Sequence, residues 1–432
     1  MAHRKVLAAL TAVSAGTLLL SACSSGEDGS GAGSGPVSLR MVLWSSNADQ
    51  LAMFKEMGKQ FAAANPTLVK DVQVTPTAAG ESYRTVLTTQ IGGGDAPDVG
   101  WLGSGDLVDF ANQGALVDLA PTLKNDPGFD YADLTPAGMA LDEDGDKVWG
   151  VPFSTSPGGI FYNADLFAEA GIPNPDKMIA DGTWTWDNLA RAAATIHEKT
   201  GATGFNIAAY KFDDNWPELN TIWAGYGAKP WNDTGDTCTF TEQPMQDSLQ
   251  FLHDMIYKTG GYTKPGETPD FPTQQVAMSS TYISVAGTLK DVPFTWGLVP
   301  APKGPKGAIA SIGQSSIVAF AAGKHHDAAA KLVGFITNKE NARKLARYFP
   351  PVRQSLLNTQ TLAVANPVLT AEQLESVVID GIKTGALAPA HADMGKIQTA
   401  ARAELEKLWK PDADVKQVTQ QICAAIDPLL KD

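Results

Sequence analysis

The order of strand-like and helix-like segments constrains the fold of this chain more than any other feature. From Ser38 onward, short apolar runs with strand periodicity are followed by segments in which apolar residues recur at helical spacing. The first pair is a strand that ends at Trp44 and a helix that Asn65-Pro66 stops. Because this alternation continues to Gly114, we expect an α/β fold with a mainly parallel sheet covered by helices. Ligands of such sheets bind beyond the carboxyl ends of the strands.

A second block of alternating elements starts near Lys147. Asn and Thr residues ahead of the helices predict where they begin, and glycines predict where they end. The predicted elements are strands at 147–152, 160–162 and 295–299, and helices from Asn163 to Gly171, from Thr185 to Gly201, from Pro244 to Ile256, at 326–338 and at 339–347. We expect the tail from about Ala371 to Leu430 to be helical throughout.

The N-terminal segment predicts export. Basic residues at 3–5 precede an apolar run at 6–20, which is the order of a secretory signal and is too short for a permanent membrane span. Leu20-Ser21-Ala22-Cys23 resembles a bacterial lipobox, whose cysteine receives a diacylglycerol. An ordinary cleaved signal with a chance cysteine is the alternative. The Gly- and Ser-rich stretch that follows predicts a flexible linker.

We therefore predict a lipoprotein signal peptide at 1–22 and a lipid-anchored flexible linker at 23–37. The predicted location is extracytoplasmic, anchored to the cell membrane by lipidated Cys23. The sequence carries 33 basic and 47 acidic residues, and its net charge of −14 becomes −16 once the signal is removed. Such a surface argues against nucleic acid and against a second, electrostatic attachment to anionic lipid.

The remaining cysteines, Cys238 and Cys423, leave two interpretations open. Outside the cytoplasm they can pair and would then join the tail to the middle of the chain. Two buried free thiols are the alternative. Neither cysteine lies in a CxxC motif or near a pair of histidines, so a metal or redox site built on thiols is not predicted.

Several short motifs in one order carry a family resemblance. They are Gly94-Asp95-Ala96-Pro97-Asp98-Val99, Val148-Trp149-Gly150-Val151-Pro152, Phe161-Tyr162-Asn163-Ala164-Asp165-Leu166-Phe167, Thr185-Trp186-Asp187, Val276-Ala277-Met278, Trp296-Gly297-Leu298-Val299-Pro300-Ala301-Pro302 and Pro351-Val352-Arg353. With them the chain resembles the family 1 extracellular solute-binding proteins, the maltose-binding-protein-like receptors of ABC sugar importers. It departs from the family pattern at Ile312-Gly313-Gln314, at Gln275 and at Thr281-Tyr282.

The resemblance implies a periplasmic-binding-protein-like fold, with two α/β lobes joined by hinge crossings and a ligand cleft between them. The crossings would lie near Gly150, Pro300 and Pro351. The expected boundaries are 38–149 plus 301–350 for lobe one and 151–299 plus 352–432 for lobe two.

The ligand that the resemblance implies is a sugar, which offers apolar ring faces to aromatic side chains and hydroxyls to amides, carboxylates and arginine. The candidate contacts are Trp44, Asn47, Asp98, Trp101, Ser104, Asp106, Asn215, Trp216, Trp223, Trp231, Tyr282, Gln314 and Arg353. Two of them have equally simple structural interpretations. Asp98 could cap a turn, and Arg353 could bridge the hinge.

We expect a substrate-binding lipoprotein that captures a di- or oligosaccharide and delivers it to the transmembrane subunits of an ABC permease. We expect a monomer that carries neither cofactor nor metal. The acidic segment Asp142–Asp146 does not predict a calcium site, because it lacks the ligand spacing of a calcium loop, and a hairpin turn is expected there. The alternatives are a binding protein for a glycerol phosphate ester, a regulatory or adhesion role, and a secreted glycosidase. A glycosidase needs two carboxylates across one bond, and no recognisable motif supplies them.

Overall fold

The computed structural model describes residues 35–45, 47–77 and 83–431. The predicted signal peptide, Cys23 and nearly all of the predicted linker lie outside these residues, so their assignment stays a prediction. No helix within the described ranges combines the length and apolar character needed to cross a membrane.

Most of the strands belong to one large sheet. The strands are β1 Val37–Trp44, β2 Val69–Thr77, β3 Val99–Gly103, β4 Glu143–Asp144, β5 Lys147–Val148, β6 Val151–Asn163, β7 Thr203–Ile207, β8 Val276–Tyr282, β9 Trp296–Val299, β10 Ser311–Ala319 and β11 Ala386–Leu387. β4 and β5 form the predicted hairpin around Gly145, which has a positive φ of 57°.

Helices of very different lengths cover the sheet. The α-helices are α1 Ala48–Ala64, α2 Tyr83–Gly92, α3 Ser104–Asn112, α4 Ala120–Leu123, α5 Pro136–Met139, α6 Ala164–Ala170, α7 Pro175–Ala180, α8 Trp186–Thr200, α9 Asn220–Tyr226, α10 Gln243–Tyr257, α11 His326–Thr337, α12 Lys339–Leu345, α13 Thr359–Ala365, α14 Ala371–Gln373, α15 Asp380–Thr384, α16 Met394–Leu405 and α17 Val415–Ile426. A 3₁₀ helix at Trp216–Leu219 and a π-helix at Leu374–Ile379 are also used below.

The capping residues that the sequence predicted are confirmed. The Asn163 side chain accepts from the backbone N–H groups of Asp165 and Leu166 at the start of α6, at 3.0 and 3.1 Å. Gly171 ends α6 and Gly201 ends α8 with φ values of 69° and 77°, in the left-handed region that glycine adopts without strain.

The large sheet is mixed: the strands of the first block pair in parallel as predicted, but the sheet as a whole is not mainly parallel. Its order is β2-β1-β3-β10-β6-β8-β7, with β11 beside β10 and β9 beside β6. β1 pairs in parallel with β2 and β3, whereas β10 runs antiparallel to both β3 and β6. Periodicity reports which residues are strands but not which direction a strand takes, because direction depends on where the chain re-enters the sheet.

β6 connects the two lobes of the fold. The two short strands predicted at 147–152 and 160–162 are replaced here by the 2-residue β5 and one 13-residue strand, Val151–Asn163. Its first half pairs with β10, and its second half pairs with β8 and β9. The strand continues through Pro157 and the two glycines after it, and it is buried along almost its whole length.

Each lobe has its own hydrophobic core. One large cluster contains Phe54, Trp101 and Leu332, together with the start of β6 and Val352. Another contains Trp186, Trp216 and Leu249, and it includes the buried faces of α16 and α17. The separate cores support the two-lobed α/β architecture that the sequence predicted.

The tail differs from its prediction in two segments, 385–393 and 409–414, and it settles whether the two cysteines pair. Residues 385–393 are not helical: β11 pairs in parallel with β10, and the Asn220 amide donates to the carbonyls of Ala386 and Leu387. The prediction of continuous helix is wrong in this segment, because β10 and the Asn220 amide form the backbone hydrogen bonds that a helix would otherwise form internally. Cys238 and Cys423 form a disulfide that joins α17 to the segment before α10.

Candidate functional site

The lobe-one wall of the candidate site lies at the carboxyl ends of β1 and β3, as predicted for an α/β sheet. Trp44 ends β1 and is half-buried, with its ring 4.9 Å from that of Tyr83 and 5.4 Å from that of Trp101. Ser104 follows β3 directly, and its hydroxyl donates to the Gln314 carbonyl at 3.2 Å. This edge of lobe one therefore reaches β10, which pairs with the connecting strand β6; β6 and β10 are called the hinge strands below.

Asp106 carries a charge partner. Arg84 on α2 donates to the Asp106 carboxylate at 2.6 Å, and it also pairs with Asp109 one turn further along α3. Burial raises the pKa of Asp106, against the lowering effect of Arg84. The guanidinium thus neutralises much of the acidic charge on this wall, so Asp106 offers a ligand an oxygen that is already hydrogen-bonded.

The hinge strands contribute buried polar atoms without partners. Gln314 is 4% exposed, and its Nε2 donates to Asp142 at 2.8 Å, whereas its Oε1 accepts from no donor in the described part of the chain. The hydroxyls of Thr155 and Ser156 on β6, each 5% exposed, are likewise unpartnered within those residues. Thr155 and Gln314 are cross-strand partners and share one face of the sheet, whereas Ser156 lies on the other face. Because buried polar atoms normally find hydrogen bonds, these unpartnered atoms call for a functional explanation.

The lobe-two wall contains Tyr282 and a carboxylate that sequence reasoning missed. Tyr282 is the last residue of β8, and its hydroxyl donates to Glu218 Oε2 at 3.0 Å. Burial raises the pKa of Glu218, and no charged neighbour offsets it. Asn215 and Trp216 were candidates, but in the tight 3₁₀ turn it is Glu218 that meets Tyr282; periodicity could not identify which of these neighbours does so.

The two lobes touch at α3 and α16. The Gly395 N–H at the start of α16 donates to Asp109 at 3.4 Å, and the Met394 side chain lies against Gly105. A Cβ built on Gly105 would come within 3.0 Å of Met394 Cγ. This contact brings a helix N-terminus to a carboxylate, which is a favourable electrostatic arrangement.

Several predicted contacts occupy hydrophobic cores. Trp101, Trp216 and Trp223 are at most 2% exposed, and Trp216 donates its indole N–H to the Gln398 carbonyl at 3.1 Å. Ligand contact by these rings would require the core to open. They are therefore left out of the proposed contact set.

Three polar candidates are engaged in holding the backbone. Arg353, just past the Pro351 crossing, is 0% exposed and donates to the lobe-one carbonyls of Thr337, Phe129 and Asp130. Asp98 accepts from the Arg40 N–H at 2.8 Å, and the Asn47 side chain caps α1. Of the two interpretations left open for Asp98 and Arg353, these contacts support the structural one.

The last two candidates lie on lobe two. Trp231 is 8% exposed and packs edge-to-face against His391, with 5.6 Å between ring centroids. Asn215 is exposed, and its amide donates to the Ala209 carbonyl at 3.4 Å. The residues described by the structure contain no group of three His, Cys, Asp or Glu side chains able to hold a metal ion.

Comparison with known proteins agrees with this architecture. The sequence profile of the family described as bacterial extracellular solute-binding protein matches residues 44–343. An uncharacterised lipoprotein from the oleD 5′ region of Streptomyces antibioticus is 26% identical over 367 residues, which span 82% of this chain and 76% of that protein.

Solved structures share the whole fold. The ABC substrate-binding protein Lmo0181 from Listeria monocytogenes, in complex with cycloalternan, matches with a TM-score of 0.78 at 24% identity, over 91% of this chain and 99% of that one. UgpB from Mycobacterium tuberculosis, in complex with glycerophosphocholine, matches with a TM-score of 0.74 at 22% identity, over 92% and 98%. The fold is thus periplasmic-binding-protein-like.

Proposed function

Because this chain belongs to the bacterial extracellular solute-binding proteins, we propose that it captures a di- or oligosaccharide between its lobes and delivers it to an ABC permease. The observation that carries the proposal is a cross-strand pair of unpartnered polar side-chain atoms on β6 and β10, at Thr155 and Gln314. Ligand hydroxyls are the groups that would complete these hydrogen bonds. Trp44 supplies a half-buried aromatic ring at the carboxyl end of β1.

The lobe boundaries belong to this proposal. Lobe one comprises 38–149 and 301–350, and lobe two comprises 151–299 and 352–432. The separate hydrophobic clusters support a division into two lobes, although Val151, Phe153 and Val352 pack in the cluster of lobe one. A ligand that touches both lobes favours the closed arrangement by its differential affinity for it. The permease would recognise that closed arrangement.

The site is proposed to bind and not to react. The family and the structural neighbours are binding proteins of transporters, and this supports a receptor rather than an enzyme. The proposed receptor is a monomer without cofactor. Attachment through lipidated Cys23 is supported by the lipoprotein relative and by the lipobox-like sequence. Capture of a phosphate ester remains the alternative ligand class, because one neighbour holds glycerophosphocholine.

Isothermal titration with maltose, maltotriose and a cyclic glucan tests the proposal, with Trp44→Ala as the informative variant. We expect one-to-one binding without turnover, and a loss of about 10- to 100-fold in affinity when the Trp44 ring is removed. Trp149→Ala is the matched control, because that tryptophan of the same lobe is also half-buried and its ring is covered by the Lys147 ammonium. Failure of all saccharides to bind, or release of cleaved glycan, would contradict the proposal.

A further inference from the structure

Glu218 is held in place by its neighbours. It is the third residue of the 3₁₀ helix Trp216–Leu219, whose first and last side chains are 0% exposed. Asn220, the next residue, is 4% exposed and donates to the Ser311 hydroxyl at 3.0 Å. With the backbone fixed on both sides, the half-buried Glu218 carboxylate has little freedom to turn towards open solvent.

The carboxylate has one hydrogen bond and no counter-ion. Tyr282 donates to Oε2, and no hydrogen bond from the described residues reaches Oε1. No lysine, arginine or histidine in the described ranges forms an ion pair with Glu218, in contrast to Asp106 and Asp109, which share Arg84. Burying a carboxylate without a cation costs folding free energy, so its presence here points to a functional role.

A second, independent observation lies on the same face of the sheet. Ser156 pairs with Gly313 across β6 and β10, and Gly158 pairs with Tyr282 across β6 and β8. Cross-strand partners and alternate residues share a face, so Ser156, Tyr282 and the two glycines face the same side. The Ser156 hydroxyl is 5% exposed and lacks a partner among the described residues.

Gly313 keeps this face open for the tyrosine. A Cβ at Gly313 would lie 2.6 Å from both Cζ and Oη of Tyr282, so any side chain there would displace the ring. The phenol therefore lies directly against the hinge strand. Its hydroxyl donates to Glu218, which leaves its oxygen lone pairs free to accept from a ligand.

We propose that Glu218, Tyr282 and Ser156 form a subsite that selects uncharged, hydroxyl-bearing ligands and rejects phosphate esters. This inference rests on the proposed function and names its ligand class. The carboxylate only accepts hydrogen bonds, so it suits neighbouring ligand hydroxyls, which can donate. A phosphate offers acceptors and like charge to the same oxygen, in surroundings that screen charge poorly.

Titration of wild-type protein with maltotriose and with glucose 6-phosphate, repeated with Glu218→Gln, tests the inference. We expect the wild type to bind maltotriose and not the phosphate ester, and Glu218→Gln to weaken maltotriose binding about 10- to 100-fold. Glu169→Gln is the matched control, because Glu169 is exposed on α6 of the same lobe, and it should leave binding unchanged. Unchanged maltotriose binding in Glu218→Gln, or phosphate-ester binding by the wild type, would overturn the inference.

A ligand-free measurement separates failure of this inference from failure of the proposed function. The glutamine variant removes an unpaired charge at constant shape, so we expect the melting temperature of the ligand-free protein to rise by about 2 °C. If neither probe binds the wild type, the proposed saccharide function fails. The melting temperature of the ligand-free Glu218→Gln variant then still shows whether the carboxylate destabilises the fold, as a ligand-binding group would, or stabilises it. A lowered melting temperature would make the carboxylate a structural group and overturn the subsite.

Discussion

At the scale of single residues, the hinge holds a carboxyl group far from water. Asp142 is 0% exposed, and Gln314 donates to it at 2.8 Å. Burial raises the pKa of Asp142 to about 7, although its hydrogen bonds with Ser316 and Gln314 act in the opposite direction. The group faces Glu143 as its nearest like charge, which also raises its pKa.

This carboxyl predicts a pH dependence of stability. The pKa in the folded chain exceeds the unfolded value of 3.8, so the folded state binds the proton more tightly, and stability falls as the pH rises from about 4 to 7. Asp142→Asn removes this group from the titration. The difference in unfolding free energy between the two proteins should change by roughly 1.4 kcal/mol per pH unit in that window.

Urea denaturation at several pH values between 4 and 8 measures that difference. Asp144→Asn, an exposed position in the same hairpin, should follow the wild-type profile. Parallel profiles for wild type and Asp142→Asn would contradict the assignment of the pH dependence to this residue.

The roles of single residues were predictable from the sequence where they depend on neighbouring residues. They were not predictable where the hydrogen-bond partner is distant in the sequence. The Asn163 cap and the glycine ends of α6 and α8 depend on a few neighbouring residues, and they were predicted. The surroundings of Arg353 depend on carbonyls more than 200 residues away, at Phe129 and Asp130. The partnership of Glu218 with Tyr282 has the same origin, and local spacing gives no signal for it.

At the scale of elements, strand and helix positions followed from periodicity, but their connections did not. The two predicted strands flanking Pro157 became the single long β6, and the helical tail was interrupted by β11. In both places a neighbouring strand supplies hydrogen bonds that a local pattern cannot reveal. The disulfide is of the same kind, because its cysteines are 185 residues apart.

The disulfide predicts how firmly α17 is attached to lobe two. The double variant Cys238→Ser/Cys423→Ser should lose about 3–5 kcal/mol of stability, because a long loop is no longer closed in the unfolded chain. The loss should appear as a lower midpoint in guanidinium denaturation followed by tryptophan fluorescence. Wild-type protein under dithiothreitol should match the variant, and an unchanged midpoint in both would show that the helix is held by packing alone.

At the scale of the whole molecule, the contact between α3 and α16 couples the lobes. It combines the Asp109–Gly395 hydrogen bond with the packing of Met394 on Gly105. Neither lobe needs this contact for its own core, because the two large hydrophobic clusters are built separately. We expect the contact to contribute to the balance between the open and closed arrangements that the proposed function requires.

A side chain at position 105 should shift that balance. We expect Gly105→Leu to wedge against Met394, to raise the radius of gyration in X-ray scattering and to weaken saccharide binding about tenfold, which corresponds to roughly 1.4 kcal/mol. Gly92→Leu is the control, because a Cβ there meets no atom within 4 Å. Identical scattering curves for wild type and Gly105→Leu would show that the contact does not govern closure.

The bridge between Cys238 and Cys423 also bears on survival outside the cell. It spans residues that include the hinge strand β10, so a single protease cut anywhere between the two cysteines leaves both fragments covalently joined. A nicked receptor would thus remain one particle, and it would come apart only under reducing conditions.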